Sequence, residues 1–219
     1  MFVVVDYCKG NLRSVQKALE LAGCEARISA EPAAIRSAQA IVLPGVGSFA
    51  DASATMLASG QMDAIRDRVA QGAPFLGICL GLQLLFERGD ENMPEGQWAE
   101  GLALLRGSTR RIDAQTPGGA RVKVPHVGWN QVAFKGETRG EDRAPLFAGI
   151  PDGSNFYFTH SYQGVPSEEC DVLAEVTHAT AFPSVVRKGA VFGVQFHPEK
   201  SSHKGLEVLE NFVRFVRGL

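Results

Sequence analysis

Five residues, Gly77-Ile78-Cys79-Leu80-Gly81, limit the fold more than any other stretch of the chain. The apolar run 74–78 has the length and composition of a buried strand, and Leu82, Leu84, Leu85 and Phe86 begin the pattern of a buried helix. A cysteine between glycines at such a junction has the form of a nucleophile elbow. The sharp turn lifts the side chain clear, and the glycines remove side chains that would collide with neighbouring elements. The start of the helix also favours a thiolate. A buried structural cysteine fits the pentapeptide equally well, because free cysteine is among the most commonly buried residue types.

A base well separated in sequence tips that balance. Residues 191–196 read as a strand, and Pro198 pushes His197 into an extended conformation. Residues two apart in an extended chain share a side, which sets Glu199 beside His197. The carboxylate would then fix the imidazole tautomer while the other ring nitrogen takes the thiol proton, as in a Cys-His-Glu triad. Alone, His197-Pro198-Glu199 reads more readily as a solvated strand end; paired with Cys79 it favours catalysis.

The surrounding pattern sets an α/β frame. Strands are expected at 2–6, near 25–28, at 40–43 and at 74–78, alternating with helices from Asn11, over 49–58 and over 62–71. This alternation implies a parallel sheet whose ligand site lies beyond the carboxyl ends of the strands, where Cys79 and Pro44-Gly45-Val46-Gly47 both stand. The second half offers shorter strand candidates at 121–124, 129–134, 156–159, 172–176, 184–187 and 191–196, expected as antiparallel additions. Residues 116–119 and 135–144 read as surface loops. A last helix, capped near Ser201, carries Leu206, Leu209, Val213 and Val216 on one face. With 219 residues and no linker-like tract, residues 1–219 are expected to form one domain.

Several function classes fall away. A formal net charge of −2 without a dense basic block argues against nucleic acid. The start lacks the features of a signal peptide and no apolar run approaches membrane-spanning length, so a soluble cytoplasmic protein is expected. Cys8, Cys24, Cys79 and Cys170 contain no Cys-x-x-Cys pair, and no disulfide is expected. His197-x-Glu199 matches the start of a zinc deaminase signature, but no cysteine follows Cys170, so no metal is expected. Gly45-Val46-Gly47 lacks the third glycine of a dinucleotide fingerprint, position 50 being alanine. Acyl transfer at Cys79 would need oxyanion donors, for which the Leu80 amide and a second amide from the Gly45-Val46-Gly47 turn are candidates. A non-catalytic α/β binding module remains the alternative.

The segments 77–83 and 193–201 together resemble the triad glutamine amidotransferases. Within that class, residues 6–14, 123–130 and 157–162 are similar to the glutaminase subunits of imidazole glycerol phosphate synthase; the glutaminase of another synthase, such as anthranilate synthase, is the runner-up. The resemblance implies a single class I glutamine amidotransferase-like (flavodoxin-like) domain with a mostly parallel sheet. It also implies hydrolysis of glutamine through a thioester on Cys79, without a cofactor. The ammonia would pass to a (β/α)8-barrel cyclase partner in a heterodimer, making imidazole glycerol phosphate and an aminoimidazole carboxamide ribotide for histidine biosynthesis. On matching positions, Cys79 is the nucleophile, His197 the acid/base and Glu199 its orienting carboxylate. Val46 and Leu80 would supply oxyanion amides; Gln83, Glu91, His160, Ser161 and Tyr162 would hold glutamine; Asn11, Pro125, His126 and Trp129 would face the partner. Cys8 stands where the family pattern has glycine, so the loop around it is expected to differ slightly. Segment 44–47 is expected to rest with its oxyanion amide turned away and to rotate when the partner engages.

Overall fold

The computed structural model describes residues 1–135 and 144–219; most of the expected loop at 135–144 lies outside the described residues. Five strands form a parallel core: β1 (Phe2–Val5), β2 (Ala26–Ser29), β3 (Ala40–Gly45), β4 (Phe75–Cys79) and β13 (Val191–Val194). Antiparallel strands extend it: β8 (His126–Phe134), β9 (Ser154–His160), β11 (Val172–Thr177) and β12 (Ala181–Lys188). Their order is β2-β1-β3-β4-β13-β12-β11-β8-β9, with antiparallel pairing from β13 onward. The parallel core with antiparallel additions is the one expected.

Burial on both faces explains the continuous apolar strands. Phe2 and Val4 of β1 enter a core shared with Val15 and Leu19 of α1 (Leu12–Leu21) and with Val208, Leu209 and Phe212 of α6 (Ser202–Arg217). Val3 and Val5 point to the opposite core, which contains Ile35, Phe49, Met56 and Ile65. Those residues come from α2 (Pro32–Arg36), α3 (Phe49–Ala58) and α4 (Gln61–Ala70). Strand alternation thus sorts side chains between two helical layers.

Tertiary partners override several local patterns. The apolar run after Cys79 forms only one helical turn, α5 (Leu80–Gln83). The carbonyls of Leu84, Leu85 and Phe86 instead accept from the amides of Leu102, Leu104 and Ala103, at 2.7, 2.9 and 3.2 Å. Residues 121–124 form no strand; Arg121 makes only an isolated bridge to Gln115, and Pro125 has no amide to extend a ladder. A second sheet, unforeseen, joins β10 (Tyr162–Pro166), β7 (Gly107–Arg111), β5 (Arg88–Gly89) and β6 (Ala99–Glu100). In α6, Leu206 is only half-buried, and the packed stripe is Val208, Leu209, Phe212, Val213 and Val216. Cys8 takes a φ of 65°, the region glycine favours, while its amide donates to Asp6 Oδ1 at 2.8 Å.

The elbow depends on missing side chains. A Cβ at Gly77 would meet the Gly81 carbonyl, and one at Gly81 would meet the Leu43 carbonyl of β3. Gly81→Ala should therefore destabilise the protein by about 1–3 kcal/mol or more through overpacking. Chemical denaturation would check this, and an unchanged midpoint would contradict the close approach.

Candidate active site

The site forms at the carboxyl ends of β3, β4 and β13, with the edge of β9 closing it. Cys79, the last residue of β4, has φ 55° and ψ −106°. Such a conformation costs a non-glycine residue about 1–3 kcal/mol and persists because its surroundings over-determine it. β4 is flanked by β3 and β13, and α5 starts at once, so the side chain has no alternative path. Cys79 is only 5% exposed, with its sulfur 3.9 Å from the Thr159 carbonyl.

His197 and Glu199 stand together, by a different route from the one expected. β13 ends at Val194, and residues 198–200 form a 3-10 turn opened by Pro198, whose fixed φ suits the first position of a helical turn. That turn, rather than strand alternation, brings Glu199 Oε1 to 2.9 Å from His197 Nδ1. The two side chains are 2% and 1% exposed. Two further bonds anchor the histidine backbone: its amide donates to the Tyr157 carbonyl at 2.9 Å, and its carbonyl accepts from Ser201 Oγ at 2.6 Å. Ser201 Oγ also accepts from the Tyr157 amide, so this residue ties the 198–200 turn to β9 instead of capping α6 with its side chain.

Burial opposes an imidazolium here, but the neighbouring Cys79 sulfur and the Glu199 carboxylate bonded to the ring outweigh it and push His197 up to about 10. Nε2 makes no hydrogen bond within ordinary limits among the described residues. The influence of the thiol is therefore that of a close charge partner rather than of a fully formed bond. The arrangement suits proton exchange between sulfur and ring.

A cavity of about 240 Å³ opens over Cys79. Its lining includes Val46, Leu80, Gln83, Glu91, His160, Ser161 and Tyr162, so the structure brings together all the residues expected around a substrate. Gly47, from the turn expected beside Cys79, also lines it, as does Thr159, which was not foreseen. A more open groove of about 760 Å³ near Asp113, Gln115 and Arg121 contains none of these groups. Gly45 approaches α5 so closely that a Cβ would collide with the buried Tyr7 hydroxyl and crowd Leu80 Cβ. Glu91 Oε2 accepts from the Phe49 amide at 2.8 Å, tying the cavity rim to the first turn of α3. Burial raises the Glu91 carboxyl pKa, and the Phe49 hydrogen bond partly offsets this. Among the described residues no His, Cys, Asp and Glu cluster is suited to hold a metal ion.

The residues expected to face a partner divide. Pro125 and Trp129 are exposed, Trp129 at 55% with Val127 equally so, and Asn11 is half-buried at the start of α1. His126 is instead buried, packed between Phe158, His160 and His178, because β8 alternates and its ring falls on the inner side. Gln195, not among the expected site residues, lies 3.6 Å from the Cys79 sulfur through Nε2. Its place two residues before His197 was the only available signal.

Burial, with some repulsion from His178, holds His126 down to about 4; burial, despite a hydrogen bond to the Tyr162 carbonyl, holds His160 down to about 3. Both folded values lie below the unfolded value. The stabilising contribution is thus complete above about pH 6.5 and is lost as pH falls through that value toward 4 and 3. Melting temperature should fall over this window, less steeply in His126→Asn; identical slopes would contradict the assignment.

The sequence matches the family described as Glutamine amidotransferase class-I over residues 3–215. The imidazole glycerol phosphate synthase subunit HisH of Moorella thermoacetica is 48% identical over 214 residues, covering 98% of this chain and 94% of that protein. The protein of the same name from Geobacillus thermodenitrificans is 44% identical over 218 residues, covering 100% and 97%. A crystal structure of a glutamine amidotransferase superposes with a TM-score of 0.71 at 20% identity, covering 99% of each chain. The structure of PurLQS from Thermotoga maritima also gives 0.71 at 20% identity, covering 98% and 97%. Those two likenesses concern the fold.

Proposed function

As the chain belongs to the class-I glutamine amidotransferases and, within them, to the family of imidazole glycerol phosphate synthase subunit HisH, we propose that it hydrolyses glutamine and supplies the ammonia to a barrel cyclase. In this reading residues 1–219 act as one cytoplasmic glutaminase domain; among the described residues no helix is long and apolar enough to cross a membrane. The observation that carries the reading is the strained Cys79 beside the buried His197–Glu199 pair, under a cavity sized for an amino acid.

The Cys79 thiolate attacks the side-chain amide carbon, and the amides of Val46 and Leu80 take up the developing oxyanion. His197, oriented by Glu199, gives its proton to the leaving nitrogen, releasing ammonia and leaving a γ-glutamyl thioester. The same ring, now neutral, takes a proton from water, which attacks the thioester and frees glutamate and the thiolate, with the imidazolium restored. Gln83, Glu91, His160, Ser161 and Tyr162 hold the substrate, the Glu91 carboxyl facing its α-ammonium group. Asn11, Pro125 and Trp129 form the cyclase-facing surface, extended by the exposed Val127. The segment at 44–47 rotates its amide into place when the cyclase is engaged, with Gly47 at φ 102° accepting the strain.

Cys79→Ala should abolish glutamine-dependent synthesis in the complex while added ammonia still drives the cyclase. Loss of both activities would give Cys79 another role. Glutamine hydrolysis by the purified chain should rise on adding cyclase with its ribotide substrate. Equal rates with and without them would contradict the rotating segment.

A further inference from the structure

We propose that Gln195 is a further catalytic group of this site, donating a hydrogen bond to the Cys79 sulfur, and that Asn130 and His126 are positioning residues that hold it there through two hydrogen-bond series meeting at the Tyr162 carbonyl, which accepts from His160 on one side and from Gln83 on the other. The inference rests on the reading of the cavity as the glutaminase site. Together the two series link β8, the strand bearing exposed Trp129, to the nucleophile.

Their direction follows from the fixed roles of backbone groups. At the outer end the Asn130 side-chain oxygen accepts from the Gln131 amide at 2.8 Å, and its Nδ2 donates to the Thr177 carbonyl at 2.9 Å. That orientation leaves an N–H for His126 Nε2, 3.2 Å away. At the inner end the Tyr162 carbonyl can only accept, so His160 Nδ1, 2.8 Å away, carries a proton. In a neutral His160 the other nitrogen is then bare, and His126 Nδ1 must donate to it across 3.1 Å. Both assignments leave His126 Nε2 as the acceptor that Asn130 requires. Burial keeps both rings neutral near pH 7, which preserves this order.

The Tyr162 carbonyl also receives Gln83 Nε2 at 2.8 Å, which fixes the Gln83 amide. The same Nε2 donates to Gln195 Oε1 at 3.2 Å, which in turn fixes the Gln195 amide with Nε2 toward the Cys79 sulfur. Reversed, Gln195 would aim an oxygen at the sulfur and oppose a thiolate. Gln195 is fully buried and its backbone amide is held by the Ser184 carbonyl at 2.8 Å, so water does not compete for this bond. A hydrogen bond to an ionised sulfur in such surroundings is stronger than one between neutral groups. A reversed His160 tautomer would set a lone pair against the Tyr162 carbonyl and displace the Gln83 anchor.

The test is the rate at which iodoacetamide alkylates Cys79 at pH 7, followed peptide by peptide in the full-length chain with exposed Cys8 and Cys170 as references. Gln195→Leu should slow alkylation at Cys79 by about tenfold, the loss expected for a bond to a charged acceptor, and leave the references unchanged. Gln195→Met serves if the leucine variant fails to fold. His126→Leu should slow Cys79 about threefold, and His126→Asn, which can keep an N–H near the position of Nδ1, should restore it. Wild-type rates at Cys79 in the Gln195 variants, or in His126→Leu, would overturn the proposal. A wild-type complex that fails to turn over glutamine would overturn the glutaminase reading instead, leaving these rates informative.

Discussion

Everything at this site depends on the contact of one helical turn with the sheet. α5 lies so close to β3 and β4 that Gly77 and Gly81 have no room for a side chain. The contact forces Cys79 into a conformation that an unconstrained cysteine would leave, and it brings the Leu80 amide to the sheet's carboxyl edge. The strain is small against the two cores that hold it. Phe75, Leu76 and Ile78 of β4 and Leu80 and Leu82 of α5 are buried, and burial of each large side chain contributes about 1.5–3 kcal/mol. Packing thus over-determines a geometry that local preference opposes.

The second half of the chain supplies what that geometry requires. β13 lies beside β4 in parallel register, Gly193 opposite Gly77 and Val194 opposite Ile78, so His197 emerges next to Cys79 although 118 positions separate them. The turn at 198–200 and Ser201 then fix Glu199 and the backbone against β9. The buried pair is joined through His197 Nδ1 and Glu199 Oε1, and that contact helps make a charged imidazole tolerable inside the protein.

What could be read from sequence follows the range of the forces involved. The parallel core was legible because its strands are apolar on both faces, and the elbow because glycine spacing reports close backbone approach. The grouping of Cys79, His197 and Glu199 was legible from residue chemistry joined to a family resemblance, whereas the 3-10 turn that joins His197 to Glu199 was not, since strand alternation gave the same pairing. The shortened α5 and the second sheet depend on carbonyls captured by residues 102–104, a long-range competition that leaves no local periodicity. For the same reason His126 was expected to face outward and Gln195 failed to stand out. The inward face of β8 and the bond to sulfur exist only once distant strands are paired.

The central claim is that Cys79, alone among four cysteines, is a nucleophile shaped for glutamine. The direct measurement is intact-protein and peptide mass spectrometry after exposure of the cyclase complex to an electrophilic glutamine analogue, with excess glutamine as competitor. One adduct on Cys79, suppressed by glutamine and absent in His197→Ala, is the predicted result. Labelling confined to Cys8 or Cys170, or labelling of Cys79 that glutamine does not suppress, would contradict it.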